Sequence, residues 1–101
     1  MSEGTDYEFE WDDAKADSNL RKHGVAFLEA MSVLADPLAR TRFDEDHSEQ
    51  EERWVSLGCS AQQRLLVVVH TFIPTGTNAA LVRLISARPA TPAERKQYED
   101  G

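Results

Sequence analysis

Tyr7, Phe9 and Trp11 alternate with Glu8 and Glu10, and that period of two predicts a short strand with one aromatic face. Asp12 and Asp13 then offer N-cap side chains. Ala16, Leu20 and His23 recur at helical spacing and Gly24 supplies the usual stop, so a first helix follows. Phe27, Ala30, Met31 and Leu34 stand at i, i+3, i+4 and i+7, which predicts a second, amphipathic helix. It ends before Asp36-Pro37, because proline disfavours helix in the residue ahead of it. Strands are expected over residues 54–59, 65–71 and 80–86, with a weaker one near 39–43. Residues 65–69 are apolar at every position, so their strand should lie mid-sheet, covered on both faces. Ser60-Ala61-Gln62-Gln63 is short enough for a hairpin, whereas residues 74–78 promise a longer, looser connection. Thr91-Pro92-Ala93-Glu94 is a capping box with proline at the first helical position, opening a last helix to about Tyr98. The order predicts an α+β fold: an antiparallel sheet of four to five strands, two N-terminal helices and one C-terminal helix.

Length changes this picture little: 101 residues make a single domain, with a core of about 7–98 between short polar ends expected to fray. A hydrophobic fraction of 41% and a charged fraction of 29% exclude a disordered or collagen-like chain. Cys59 has no internal disulfide partner, and its parity with Val55 and Leu57 marks it as a small buried hydrophobe. With no apolar run approaching the ~20 residues of a membrane span and no basic leader, the expected compartment is the cytoplasm. The net charge of −7 argues against a nucleic-acid partner until its distribution is considered. Residues 1–52 hold fifteen acidic against five basic side chains, while residues 53–101 hold three against six. A mildly basic second half permits a small RNA-facing patch without requiring one.

Phe9-Glu10-Trp11-Asp12, Lys15, Asn19, Lys22-His23-Gly24-Val25 and Phe27 resemble the opening signature of the BrnT toxin family. The likeness continues through Ala35-Asp36-Pro37-Leu38, His47-Ser48, Glu52-Arg53-Trp54, Leu57-Gly58-Cys59-Ser60, residues 64–71 and 83–88, Ala90-Thr91, Glu94-Arg95 and Tyr98. The resemblance implies the toxin of a type II toxin–antitoxin pair with a RelE-like fold, an endoribonuclease that needs neither metal nor cofactor and arrests growth. It further implies a BrnA-like ribbon-helix-helix antitoxin that silences the toxin and carries the complex to operon DNA, so that DNA is met only indirectly. Two differences stand out. Family members often carry a charged pair with an arginine after position 71, where this chain has Phe72-Ile73-Pro74-Thr75-Gly76, and an arginine-dense last helix, where it has Arg95 and Lys96. Both remove phosphate-touching groups, and the alternative reading is a catalytically weakened binding module that acts through its antitoxin.

Cleaving RNA by attack of its own 2′-hydroxyl needs a proton acceptor, a proton donor to the leaving oxygen, and cations beside the crowded phosphate. Arginine suits the last role through its planar, permanently charged fork. Arg83, in step with Leu81 and Ile85 on an apparently apolar face, and Arg88, ahead of Pro89, are the first catalytic candidates. Pairing with a carboxylate is the structural alternative for each. His70, in step with Leu66 and Val68, and the Lys22-His23 pair are the proton-transfer candidates; burial for the first and helix capping for the second are the competing explanations. Arg64, Arg95 and Lys96 are candidate substrate contacts. The run Asp44, Asp46, His47, Glu49, Glu51 and Glu52 has no recognised metal-loop spacing and reads as a solvated or partner-docking surface, so no metal is expected. Trp54 and Phe27 are aromatic enough to stack on bases but stand at core spacing.

Overall fold

The apolar stretch at 65–69 decides the architecture, because a strand with side chains buried on both faces needs a layer on each side. In the computed structural model, which describes residues 6–47 and 49–101, that strand is the third of five along the sheet. Residues 1–5, expected to fray, and Ser48 of the family-like His47-Ser48 pair lie outside the described residues. The elements are β1 (Asp6–Glu10), α1 (Asp13–His23), α2 (Phe27–Met31), β2 (Arg40–Phe43), β3 (Trp54–Cys59), β4 (Leu65–His70), β5 (Ile73–Gly76), β6 (Ala79–Pro89) and α3 (Pro92–Asp100). The sheet runs β1-β6-β4-β3-β2, with β5 also paired to β6. On one face Val25, Phe27, Ala30 and Val33 pack against Leu66, Val68, Val82, Leu84 and Ala87. On the other, Leu57, Leu65 and Val67 pack with Ala90 and Tyr98 beneath α3.

Three expectations are corrected. Among the described residues the sheet has six strands rather than four to five, because residues 73–76 form β5, joined to β6 by a tight turn at Thr77-Asn78 with Asn78 at φ +62°. That strand is exposed throughout and contains Pro74, so it carries no alternating apolar signal. The sheet is mixed rather than antiparallel, since β1 pairs with β6 in parallel register, from Asp6 opposite Ala79 to Glu10 opposite Arg83. Strand direction between the two ends of the chain leaves no local sequence mark. The second helix is α-helical only to Met31 and tightens into a 3-10 turn over Ser32–Ala35.

Polar side chains fasten the layers. Buried Asn19 of α1 donates through Nδ2 to the carbonyls of Val25 and Ala87, both at 2.9 Å, and accepts the Ala87 N–H at 3.0 Å. Asp36 accepts the Cys59 N–H at 2.8 Å and the Tyr98 hydroxyl at 2.6 Å, joining the 3-10 turn, β3 and α3. Burial works against the Asp36 carboxylate, but these donors and the Leu38 N–H outweigh it and hold its pKa below the ordinary value. The same bond, with partial desolvation, pushes the Tyr98 hydroxyl up to about 12. The turn approaches β3 so closely that a Cβ on Gly58 would stand 2.9 Å from Val33 Cγ1 and 3.0 Å from Ala39 Cβ. Gly24 ends α1 at φ +68°, its N–H bonded to Leu20 O at 2.9 Å.

Asn19→Ala strands three buried backbone groups at once, so we expect a loss of about 3 kcal/mol of stability, read as a lowered urea midpoint with unchanged slope. An unchanged midpoint would show that water replaces the amide.

Candidate anion-binding face

The short edge strand β2 has the sequence Arg-Thr-Arg-Phe, so alternation sends both arginines to one face of the sheet. Arg40 lies opposite Leu57, which lies opposite Val67, which lies opposite Arg88. Arg42 lies opposite Val55, then Val69, then Ser86. Two rows therefore cross four strands on the face that carries α3, with apolar residues between polar ends. Arg83 belongs to this face too. The fully buried positions around it are Ala80, Val82 and Leu84, so the apolar parity expected from Leu81 and Ile85 was the outer one. Ile85 is the extra residue of a bulge, since Val69 pairs with Ser86 while His70 pairs with Leu84. A groove of about 480 Å³ runs along this face, lined by Arg40, Arg42, Val55, Val67, Glu94 and Gln97 among others.

Carboxylates already occupy two of these four cations. Glu94 grips Arg88 through both oxygens at 2.8 Å while completing the capping box with Thr91. The Arg88 guanidinium holds the Glu94 carboxyl at about 2, far below the usual range, and Glu94 in turn raises Arg88. Arg83 hydrogen-bonds Glu51 and stands 3.9 Å from Glu10. Arg40 donates to the Gln97 carbonyl at 3.3 Å. Arg42 has no ion-pair or hydrogen-bond partner among the described residues.

Glu51 arrives from the loop between β2 and β3, closed at its base by the Asp44 N–H donating to Arg53 O at 2.8 Å. Its 3-10 turn, Glu45–His47, presents a largely exposed His47 whose Nδ1 lies 3.1 Å from the Asp44 carboxylate. His47, Glu51 and Arg53 line one shallow pocket. Among the described residues no group of three or more His, Cys, Asp or Glu side chains is arranged to hold a metal.

The other candidates lie elsewhere. His70 is fully buried on the opposite face, where Nδ1 donates to Thr71 O at 2.8 Å and Nε2 accepts from Ser56 Oγ at 2.8 Å. Burial depresses its pKa, so the ring is a neutral core group. Lys22 and His23 form the basic last turn of α1 and line a small pocket with Lys15 and Ile85, away from the arginine groove. Arg64 is committed to buried Glu29, with Nη2–Oε1 at 2.5 Å and Nε–Oε2 at 2.9 Å, and donates to Gly24 O. That guanidinium holds the Glu29 carboxyl below its ordinary pKa. Arg95 and Lys96 are exposed and pair one turn on with Glu99 and Asp100. Phe27 is core, and Trp54 packs edge-on against Phe43 at 5.2 Å. Cys59 is half-buried rather than enclosed. Sequence reasoning missed Arg40, Arg42 and His47. The alternation within residues 40–43 was the available signal, but it came without an apolar partner face strong enough to fix the strand.

A sheet that sets four arginines around an apolar floor, beside a C-terminal helix, offers a candidate anion-binding face. The description "Ribonuclease toxin, BrnT, of type II toxin-antitoxin system" matches residues 11–94, and the chain belongs to that family. The crystal structure of the Brucella abortus ribonuclease toxin BrnT is similar at a TM-score of 0.57 and 24% identity, over 86% of this chain and 99% of that one. No curated protein matches the sequence. Among the described residues, no helix is long and apolar enough to cross a membrane.

The Arg88–Glu94 clamp makes an acid-sensitive contribution to stability. Because the folded pKa of Glu94 is depressed from 4.5 to about 2, the contribution is present above the unfolded value and lost as pH falls through that window. Urea midpoints taken from about pH 6 down to about pH 2 should therefore fall less steeply for Glu94→Gln than for wild type, from a lower starting stability. Parallel curves would exclude the clamp as a source of acid lability.

Proposed function

We propose that this chain is the toxin of a type II pair, a single RelE-like domain over about 7–98 that cleaves RNA without a metal and is silenced by a BrnA-like ribbon-helix-helix antitoxin. The observation that carries the reading is the convergence of Arg40, Arg42, Arg83 and Arg88 on one open sheet face, with family membership behind it. An RNA strand laid across the Val55 and Val69 floor meets arginines on both sides of its backbone, and Arg42 is the first available.

Arg83 takes the scissile phosphate once substrate displaces Glu51, since two phosphate oxygens offer the guanidinium the same fork geometry as a carboxylate. His47 is the proton-transfer group. Asp44 fixes one ring nitrogen and leaves Nε2 to take the 2′-hydroxyl proton as that oxygen attacks phosphorus, and the 5′-oxygen leaves with a proton drawn from solvent water. His70 supports the sheet, Arg64 supports α2, and Lys22 and His23 cap α1. DNA is met only through the antitoxin, and the cytoplasm is the place of action.

Purified free protein should cleave single-stranded RNA equally with and without chelator. Arg83→Ala and His47→Ala should each slow cleavage by about 10²-fold or more, while Arg64→Ala lowers thermal stability and leaves the cleavage rate per folded molecule unchanged. Activity abolished by chelator would refute the metal-free mechanism. A well-folded wild type that cleaves no RNA would instead support the binding-module alternative.

A further inference from the structure

At the far edge of the sheet, among the described residues, β1 is the terminal strand and pairs only with β6. The Asp6 N–H bonds to Asn78 O at 2.7 Å, toward β6. Alternation along the strand therefore turns the backbone N–H and C=O groups of Tyr7 and Phe9 to the free side. An unpaired edge of this kind is a template for another strand unless the chain covers or blunts it.

The two faces beside that edge differ sharply. On one, Asp6, Glu8 and Glu10 form an exposed acidic row, in which Asp6 and Glu8 have no ion-pair partner among the described residues. On the other, Tyr7 and Phe9 look into a groove of about 550 Å³ walled by Leu28, Met31 and Leu34. Leu28 is 70% exposed there, unusual for a leucine in a five-residue helix whose neighbours Phe27 and Ala30 are fully buried. A segment that suits this edge must offer backbone groups to Tyr7 and Phe9, cations to the acidic row and apolar side chains to the groove. Only an extended strand of alternating basic and apolar residues does all three, since successive side chains of a strand point to opposite faces.

We propose that β1 is a docking edge for such a segment, supplied by the antitoxin, which extends the sheet by one strand on the side away from the arginine groove. The partner rests on the toxin–antitoxin reading; the strand chemistry does not. Binding here tethers the antitoxin at the Arg83 end of the RNA face, next to Glu10, while the rest of it covers that face.

The test uses the intact protein and a ten-residue peptide alternating Lys and Val, against the same composition in two blocks. The alternating peptide should bind, the block peptide at least tenfold more weakly, and bound peptide should slow amide exchange at Tyr7 and Phe9. Glu8→Lys and Leu28→Asp should each weaken binding more than tenfold, whereas Asp17→Lys, an equal charge change on α1, should alter it less than twofold. Equal binding of the two peptides, or unchanged exchange at Tyr7 and Phe9, overturns the strand-addition edge. The antitoxin of the same operon should lose affinity for Glu8→Lys and Leu28→Asp by the same factors, and equal affinity overturns the assignment of partner. RNA cleavage by the free variants should match wild type. A wild type without cleavage defeats the ribonuclease reading and leaves the strand-addition result standing.

Discussion

Everything in this molecule follows from one strand that has no polar face. Leu66 and Val68 point to one side of β4 and Leu65 and Val67 to the other, all buried, so the sheet must be sandwiched. At roughly 25 cal/mol per Å² of apolar surface removed from water, leaving either side open would forfeit several kcal/mol. The side facing α1 and α2 is sealed almost completely. The side facing α3 is not: Tyr98 of this nine-residue helix packs on the cluster of Leu57, Leu65 and Val67, while Val55 and Val69 stay only partly buried. The candidate site is the part of the sandwich that the second layer covers least, and the arginines collect around it.

Both layers are held by polar side chains, with an arginine–carboxylate pair on each side. Asn19 stitches α1 and the loop after it to the sheet with buried hydrogen bonds, and the partly exposed Arg64–Glu29 ion pair ties α2 to the start of β4. Asp36 and the Arg88–Glu94 clamp hold α3 through charge-assisted bonds nearer to solvent. Carboxylates with lowered pKa values fasten both layers, Glu29 on the sealed side and Asp36 and Glu94 on the side of α3, so acid loosens each of them.

Much of the scaffold was legible in the sequence. The helical spacing of Phe27, Ala30 and Met31, the Gly24 stop, the Thr91 capping box and the double-sided strand rest on local rules, and the structure obeys each of them. Long-range facts were not legible. Nothing near Asp6 announces a parallel partner seventy residues away, and nothing near Arg64 announces Glu29. The site was legible in residue type but not in placement. His70 was correctly set in step with Leu66 and Val68, yet that same parity buries it, and chemistry that looked available is enclosed. Arg83 was recognised, but both parities of its strand are apolar, so alternation could not say which one faces inward.

The bulge at Ile85 has a consequence in simple counting. Arg83 and Arg88 are five positions apart, an odd interval, and an unbroken strand would aim them at opposite sides of the sheet. One supernumerary residue makes the interval effectively even, so both guanidinium groups arrive on the same surface while Leu84 and Ala87 both remain inside. A chain lacking that residue would keep its composition, its charge and nearly all its length, and would still have to thrust one arginine into the valine core or turn the end of the strand inside out. The spacing of this strand, as much as the identity of its side chains, is therefore what a working copy of the fold has to preserve.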